Sequence, residues 1–135
     1  MLNAYNLIPQ DVIVDGLINF EINSVRTGNS TYHRADSSII NLCETGYYLI
    51  NFNAIGVPTE DGDVSVKVVL IDNGEEVPGA LSSSSSIKPS SLSFSTIIQV
   101  KPCRCYEEGS ARLAFRNVGD PATFETVNVS VVKLY

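Results

Sequence analysis

Gly46-Tyr47-Tyr48-Leu49-Ile50-Asn51-Phe52-Asn53-Ala54-Ile55-Gly56 is the stretch on which the fold turns. Tyr48, Ile50, Phe52 and Ala54 fall on one side of a period of two, and Tyr47 and Leu49 on the other with Asn51 and Asn53. A β-strand sends successive side chains to opposite faces, so this period marks a strand with one fully apolar face.

The same period recurs outward from this strand in both directions. Ile18, Phe20 and Ile22 alternate with Asn19, Glu21 and Asn23. Val64, Val66, Val68 and Leu70 share a face opposite Ser65 and Lys67, and Leu113 and Phe115 point inward between Arg112 and Arg116. Turn residues separate these runs: Thr27-Gly28-Asn29, Thr45-Gly46, Gly56-Val57-Pro58, Asp61-Gly62-Asp63, Asn73-Gly74 and Val118-Gly119-Asp120-Pro121. They recur at roughly 8–12 residues, the spacing of an all-β sandwich or barrel. The stretch Tyr106–Ala114 is broken for a helix by Gly109 and Ser110.

Ten antiparallel strands are expected, near 16–25, 30–34, 38–43, 46–56, 63–72, 76–80, 92–100, 103–106, 110–117 and 123–134. The serine run Ser82–Ser86 reads as a flexible loop between strands. Residues 1–15, with Pro9 among them, precede the first clear alternation. They read as an N-terminal attachment arm contacting another body through Tyr5, Leu7, Ile8 and Val12, with residues 16–135 as the folded domain.

Composition bounds the function. The chain has 135 residues, a length that suits one domain, and is 44% apolar but only 18% charged, which argues against disorder. A formal net charge of −6 with nine Lys and Arg excludes nucleic acid as an expected partner, since phosphate binding rests on clustered cations. No apolar run approaches the roughly 18–20 residues of a spanning helix, so no membrane partner is expected.

Several strands are apolar on the face that should be wet. Tyr47 and Leu49 oppose the Tyr48 face, Val69 and Ile71 oppose Val68 and Leu70, and Val132 and Leu134 oppose Val127, Val129 and Val131. A sandwich needs one apolar face per sheet, so the surplus points to a subunit interface. Tyr47, Leu49, Val69 and Ile71 are its leading candidates.

The stretch Leu42–Phe52, with Gly46-Tyr47-Tyr48 at its centre, resembles a signature of the jelly-roll family shared by complement globular heads and tumour-necrosis-factor-like cytokines. Val68–Ala80 resembles that family's hairpin around an Asn-Gly turn, Ser95–Val100 its following apolar strand, and Val127–Tyr135 its closing strand. The wording is most similar to bacterial and bacteriophage members: the C-terminal domain of spore-surface collagen-like glycoproteins, and small virion proteins. The resemblance implies a jelly-roll β-sandwich that forms a homotrimer. It departs from the family at Lys101-Pro102-Cys103-Arg104-Cys105, and no Gly-X-Y tract precedes the domain. A short arm without a collagen stalk favours a virion surface protein, a trimeric head or decoration or fibre protein that binds other virion proteins through residues 1–15 and contacts host carbohydrate. A spore- or cell-surface adhesion head is the alternative.

Catalysis is not expected. His33 is the sole histidine, and no nucleophile elbow accompanies it, so it reads as a surface or interface residue. Cys103-x-Cys105 with Cys43 is too sparse for a zinc site; buried thiols are expected, with a disulfide from Cys43 to either partner as the alternative. Glu60, Asp61 and Asp63, and Asp72, Glu75 and Glu76, read as solvated acidic loops. No cofactor and no metal are expected.

Overall fold

The computed structural model describes residues 1–60, 62, 64–85, 87–101 and 111–135. The expected strand near 103–106, Cys103, Cys105, Asp61 and Asp63 lie outside the described residues. The strands, in chain order, are β1 (Leu2–Asn6), β2 (Gln10–Val12), β3 (Ile22–Arg26), β4 (Thr31–His33), β5 (Ile40–Leu42), β6 (Gly46–Pro58), β7 (Val66–Asp72), β8 (Glu75–Ser84), β9 (Ser90–Val100), β10 (Ala111–Asn117) and β11 (Ala122–Lys133). Two antiparallel sheets form a sandwich. The large sheet runs β3-β1-β11-β6-β9, with β2 also paired to β11, and the small sheet runs β4-β5-β10-β7-β8.

The deciding stretch behaves as read. Tyr48, Ile50, Phe52 and Ala54 are buried between the sheets, opposed by Val66, Val68 and Leu70 of β7 and by Leu113 and Phe115 of β10. Aromatic rings fill the centre: Phe52 stacks on Phe115 at 4.5 Å, and Phe20 meets Phe115 edge-on at 5.7 Å. Each buried ring removes a large apolar area from water, and such stacked and edge-on pairs add to that burial.

Three expectations are corrected. Residues 1–15 are not an arm. β1 and β2 run in line along β11, with Leu2 opposite Val131 and Val12 opposite Ala122. Leu2, Ala4 and Val12 are core residues. Pro9 sits in the short break between the two strands, where its missing N–H costs no ladder bond. The first three serines of the run are not a loop: Ser82–Ser84 pair with Val66–Val68 as the end of β8. Their hydroxyls fasten the two sheets where β8 gives way to β9, through Ser84 to Ser90 at 2.9 Å and the Ser93 amide to Ser82 at 3.2 Å. Finally, only residues 22–25 of the expected 16–25 strand are regular, within β3. Ile18 and Phe20 are fully buried as the alternation requires, but they lie in a segment held by single bridges, Leu17 to Arg116 of β10 and Phe20 to Ser37 between β4 and β5.

Candidate functional site

The outer face of the large sheet is the surface that the sequence marks and that the described residues leave partly open. Register places Leu49 of β6 between Ile97 of β9 and Val132 of β11, an apolar row three strands wide. Ile97 is 57% exposed and Tyr47, beside it on β6, is 41% exposed. The Tyr47 ring meets Tyr135 edge-on at 5.8 Å, which extends the row to the chain's end.

Below that row the face is polar. Asn51 lies between Ser95 and Ser130, and Asn53 between Ser93 and Asn128. The Asn3 amide donates to Ser130 Oγ at 2.8 Å and to Asn128 Oδ1 at 3.1 Å, tying β1 to β11. Asn51 and Asn53, in contrast, form no side-chain hydrogen bond with other described residues. The face thus offers aliphatic and aromatic side chains beside free amides, the mixture found where subunits meet.

Local chemistry holds this face in shape. Gly46 has φ +148°, and a Cβ there would stand 2.0 Å from the Tyr135 carbonyl oxygen. Only glycine lets the C-terminus lie against the start of β6, where the Leu134 amide donates to the Tyr47 carbonyl at 2.7 Å. One residue on, Tyr48 turns inward. Its hydroxyl donates to the Glu44 carbonyl at 2.6 Å, and burial pushes its ionisation upward. Lys133 and Glu44 close the same corner with an ion pair at 3.5 Å.

The four interface candidates do not share this face. Tyr47 and Leu49 lie on it. Val69 and Ile71 lie on the outer face of the small sheet, 4% and 3% exposed, in a small cluster with Ala114, Ile39 and Val118. Their surplus apolar surface is covered by the chain's own loops, so they are corrected from contact residues to core. Ile97 and Val132 take their place. The Ile97-Ile98 pair carried the signal, since two neighbouring isoleucines in a strand must occupy opposite faces.

The residues assigned to the arm also separate. Val12 is core, Tyr5 is half-buried on the large sheet's outer face, and Leu7 and Ile8 are exposed in the break between β1 and β2. His33 is not at the surface: it is buried, edge-on to Phe20, with Nδ1 at Asn23 Oδ1 and Nε2 at the Ser37 carbonyl 2.7 Å away. Cys43 is exposed rather than buried. Among the described residues, no group of three His, Cys, Asp or Glu side chains could hold a metal ion.

No family model matches the sequence. No curated protein matches it either. Solved structures do match. An Eiger TNF from S. frugiperda superposes with a TM-score of 0.69 at 17% identity, over 99% of this chain and 92% of that one. The fold is a TNF-like jelly roll. The PRD1 vertex protein P5 superposes with a TM-score of 0.64 at 13% identity, over 99% of this chain and 96% of that one. Murine APRIL gives 0.54 at 14% identity, over 96% and 98%. Identities this low carry the fold alone, which is the jelly-roll sandwich expected from the sequence.

Proposed function

We propose that this chain is a non-enzymatic structural protein of a virus particle, a homotrimeric jelly-roll head at the virion surface. The observation that carries the reading is the uncovered outer face of the large sheet, with Ile97, Leu49, Val132 and Tyr47 in reach of a second copy. Burying an aliphatic side chain of this size stabilises by about 1.5–3 kcal/mol, so several such residues per copy outweigh the ordering of the few side chains involved. The jelly roll shared with the PRD1 vertex protein P5 supports the virion setting.

With β1 and β2 built into the sandwich, contact with the particle does not use a detached arm. Leu7 and Ile8, and Ile13 and Val14 just beyond β2, are exposed and apolar along the β2 side of the large sheet. They are the surface offered to other virion proteins. Three copies in one head also present any weak glycan site three times, which raises affinity through effective concentration.

Light scattering on the purified chain tests the assembly: a single species at three times 14.6 kDa is expected, and a 14.6 kDa species at micromolar concentration contradicts it. Antibody labelling of purified particles tests the setting, with label on the particle surface expected and an unlabelled particle the contrary result.

A further inference from the structure

The small sheet's outer face carries a cleft of about 460 Å3, remote in the sandwich from the face assigned to subunit contact. We infer that this cleft binds a carboxylate-bearing sugar, its acid group held by Arg116 and Arg112 and its ring resting against Leu17 and Ile39. The choice of a glycan as the source rests on the reading of the protein as a surface head; the cleft and its charge do not.

The cleft follows from the residue pattern of β10. Arg112, Ala114 and Arg116 occupy successive outward positions, large, small, large, so the alanine leaves a recess between two guanidinium arms. Ile71 of β7, paired with Ala114, completes the floor, and Leu17 and Ile39 form an apolar wall. Among the described residues no carboxylate lines the cleft. In a chain of net charge −6, two arginines face it without an acid, and among the described residues neither guanidinium lies within ion-pair distance of one.

Arg116 adds the sharper observation. Its Nε is buried and has no hydrogen-bond partner among the described residues. Buried donors are almost always paired, so one that is not marks a place where an acceptor belongs. A carboxylate matches the planar fork of a guanidinium with two parallel bonds, and Arg116 lines the cleft where such an acceptor would lie. The volume is that of a small-molecule site, with an apolar wall for the C–H face of a ring. An extended acidic peptide fits less well: β10 lies between β5 and β7, so the cleft offers no free strand edge for main-chain pairing.

The test is titration calorimetry of the intact protein with glucuronate and N-acetylneuraminate. Glucose serves as the neutral control, a short Glu-rich peptide as the competing class, and light scattering is run on the same samples. Measurable binding of at least one acid is expected, at least about tenfold tighter than glucose, and weakened by salt. Arg112→Ala, whose guanidinium is exposed, and Arg116→Gln should each weaken it about tenfold, while Arg116→Lys should keep part of it. Equal binding of acid and glucose, no binding of either acid, tighter binding of the peptide, or an undiminished Arg112→Ala, Arg116→Gln double variant overturns the inference. Scattering separates the two ideas: a trimer that ignores the acids refutes the cleft alone, and a monomer that binds them refutes the assembly alone.

Discussion

The two outer faces of the sandwich start from the same alternation and end in opposite states. β7 carries Val69 and Ile71 away from the core, and β6 carries Tyr47 and Leu49 away from it. On the small sheet, Ile39 and Val118 pack against the surplus and bury Val69 and Ile71 almost fully, leaving only the cleft beside Arg112 and Arg116. On the large sheet no described residue of the chain buries the Ile97–Leu49–Val132 row, and Ile97 stays more than half exposed. An apolar residue on a strand's second face therefore says only that a cover exists. Whether the cover is a loop of the same chain or another copy is decided by connections far away in sequence.

The comparison can be broken most severely at the N-terminus. Deleting residues 1–15 removes β1 and β2, which line the large sheet beside β11 and contribute Leu2, Ala4 and Val12 to the core. Loss of cooperative melting is expected in a circular-dichroism melt. A truncated chain that still melts cooperatively would restore the separate arm.

The next experiment sets the faces against each other with one substitution on each. Ile71→Ala empties a site packed by the chain itself and should cost about 2–5 kcal/mol, a large part of a typical domain's stability. Leu49→Asp should leave the isolated fold within about 1 kcal/mol by urea titration while dissociating the assembly, because its charge meets water once the copies part. Equal losses from both variants would erase the distinction between the faces.

A smaller effect lies at Gly46. Gly46→Ala strains a positive φ and drives a Cβ toward the Tyr135 carbonyl, so the C-terminal strand end must move away from β6. A loss of about 1–3 kcal/mol is expected, with faster amide exchange at Leu134.

The smallest sits at the rim between the sheets, where Asp72 faces Ile97–Gln99. Burial, and then the Glu75 charge, push the Asp72 carboxyl up. The folded chain thus takes up a proton at a pH where the unfolded chain has already lost it. The resulting destabilisation is complete above the raised value and disappears as pH falls through it to the ordinary carboxylate range. Asp72→Asn should raise the melting midpoint slightly at pH 7 and not at pH 4; an equal change at both would remove Asp72 from this account.

Much of the fold was legible because period two is a local signal. It places Tyr48, Ile50, Phe52, Leu113 and Phe115 on the inner faces without knowledge of any partner strand. What failed was non-local or masked by residue type. β1 alternates Leu2, Ala4 and Asn6 inward, and a small residue and a capped amide, Asn6 Nδ2 to the Ile8 carbonyl at 2.9 Å, hide the pattern. Serines 82–84 extend β8 because an edge strand needs ladder partners more than it needs apolar side chains. Val69 and Ile71 could not be told from Tyr47 and Leu49, since the residues that pack over them, Ile39 and Val118, are distant in sequence. The cleft over Ala114 was visible only as two arginines flanking apolar positions, and its floor and wall come from three other parts of the chain.

The most direct measurement is hydroxyl-radical footprinting of the protein at micromolar concentration, read at Tyr47 on the large sheet and Tyr32 on the small one. In a single chain the two are equally accessible, 41% and 42% exposed, so each calibrates the other. The account predicts that Tyr47 is protected several-fold relative to Tyr32, and that Leu49→Asp restores its labelling. Equal modification of the two tyrosines in the unaltered protein would contradict it.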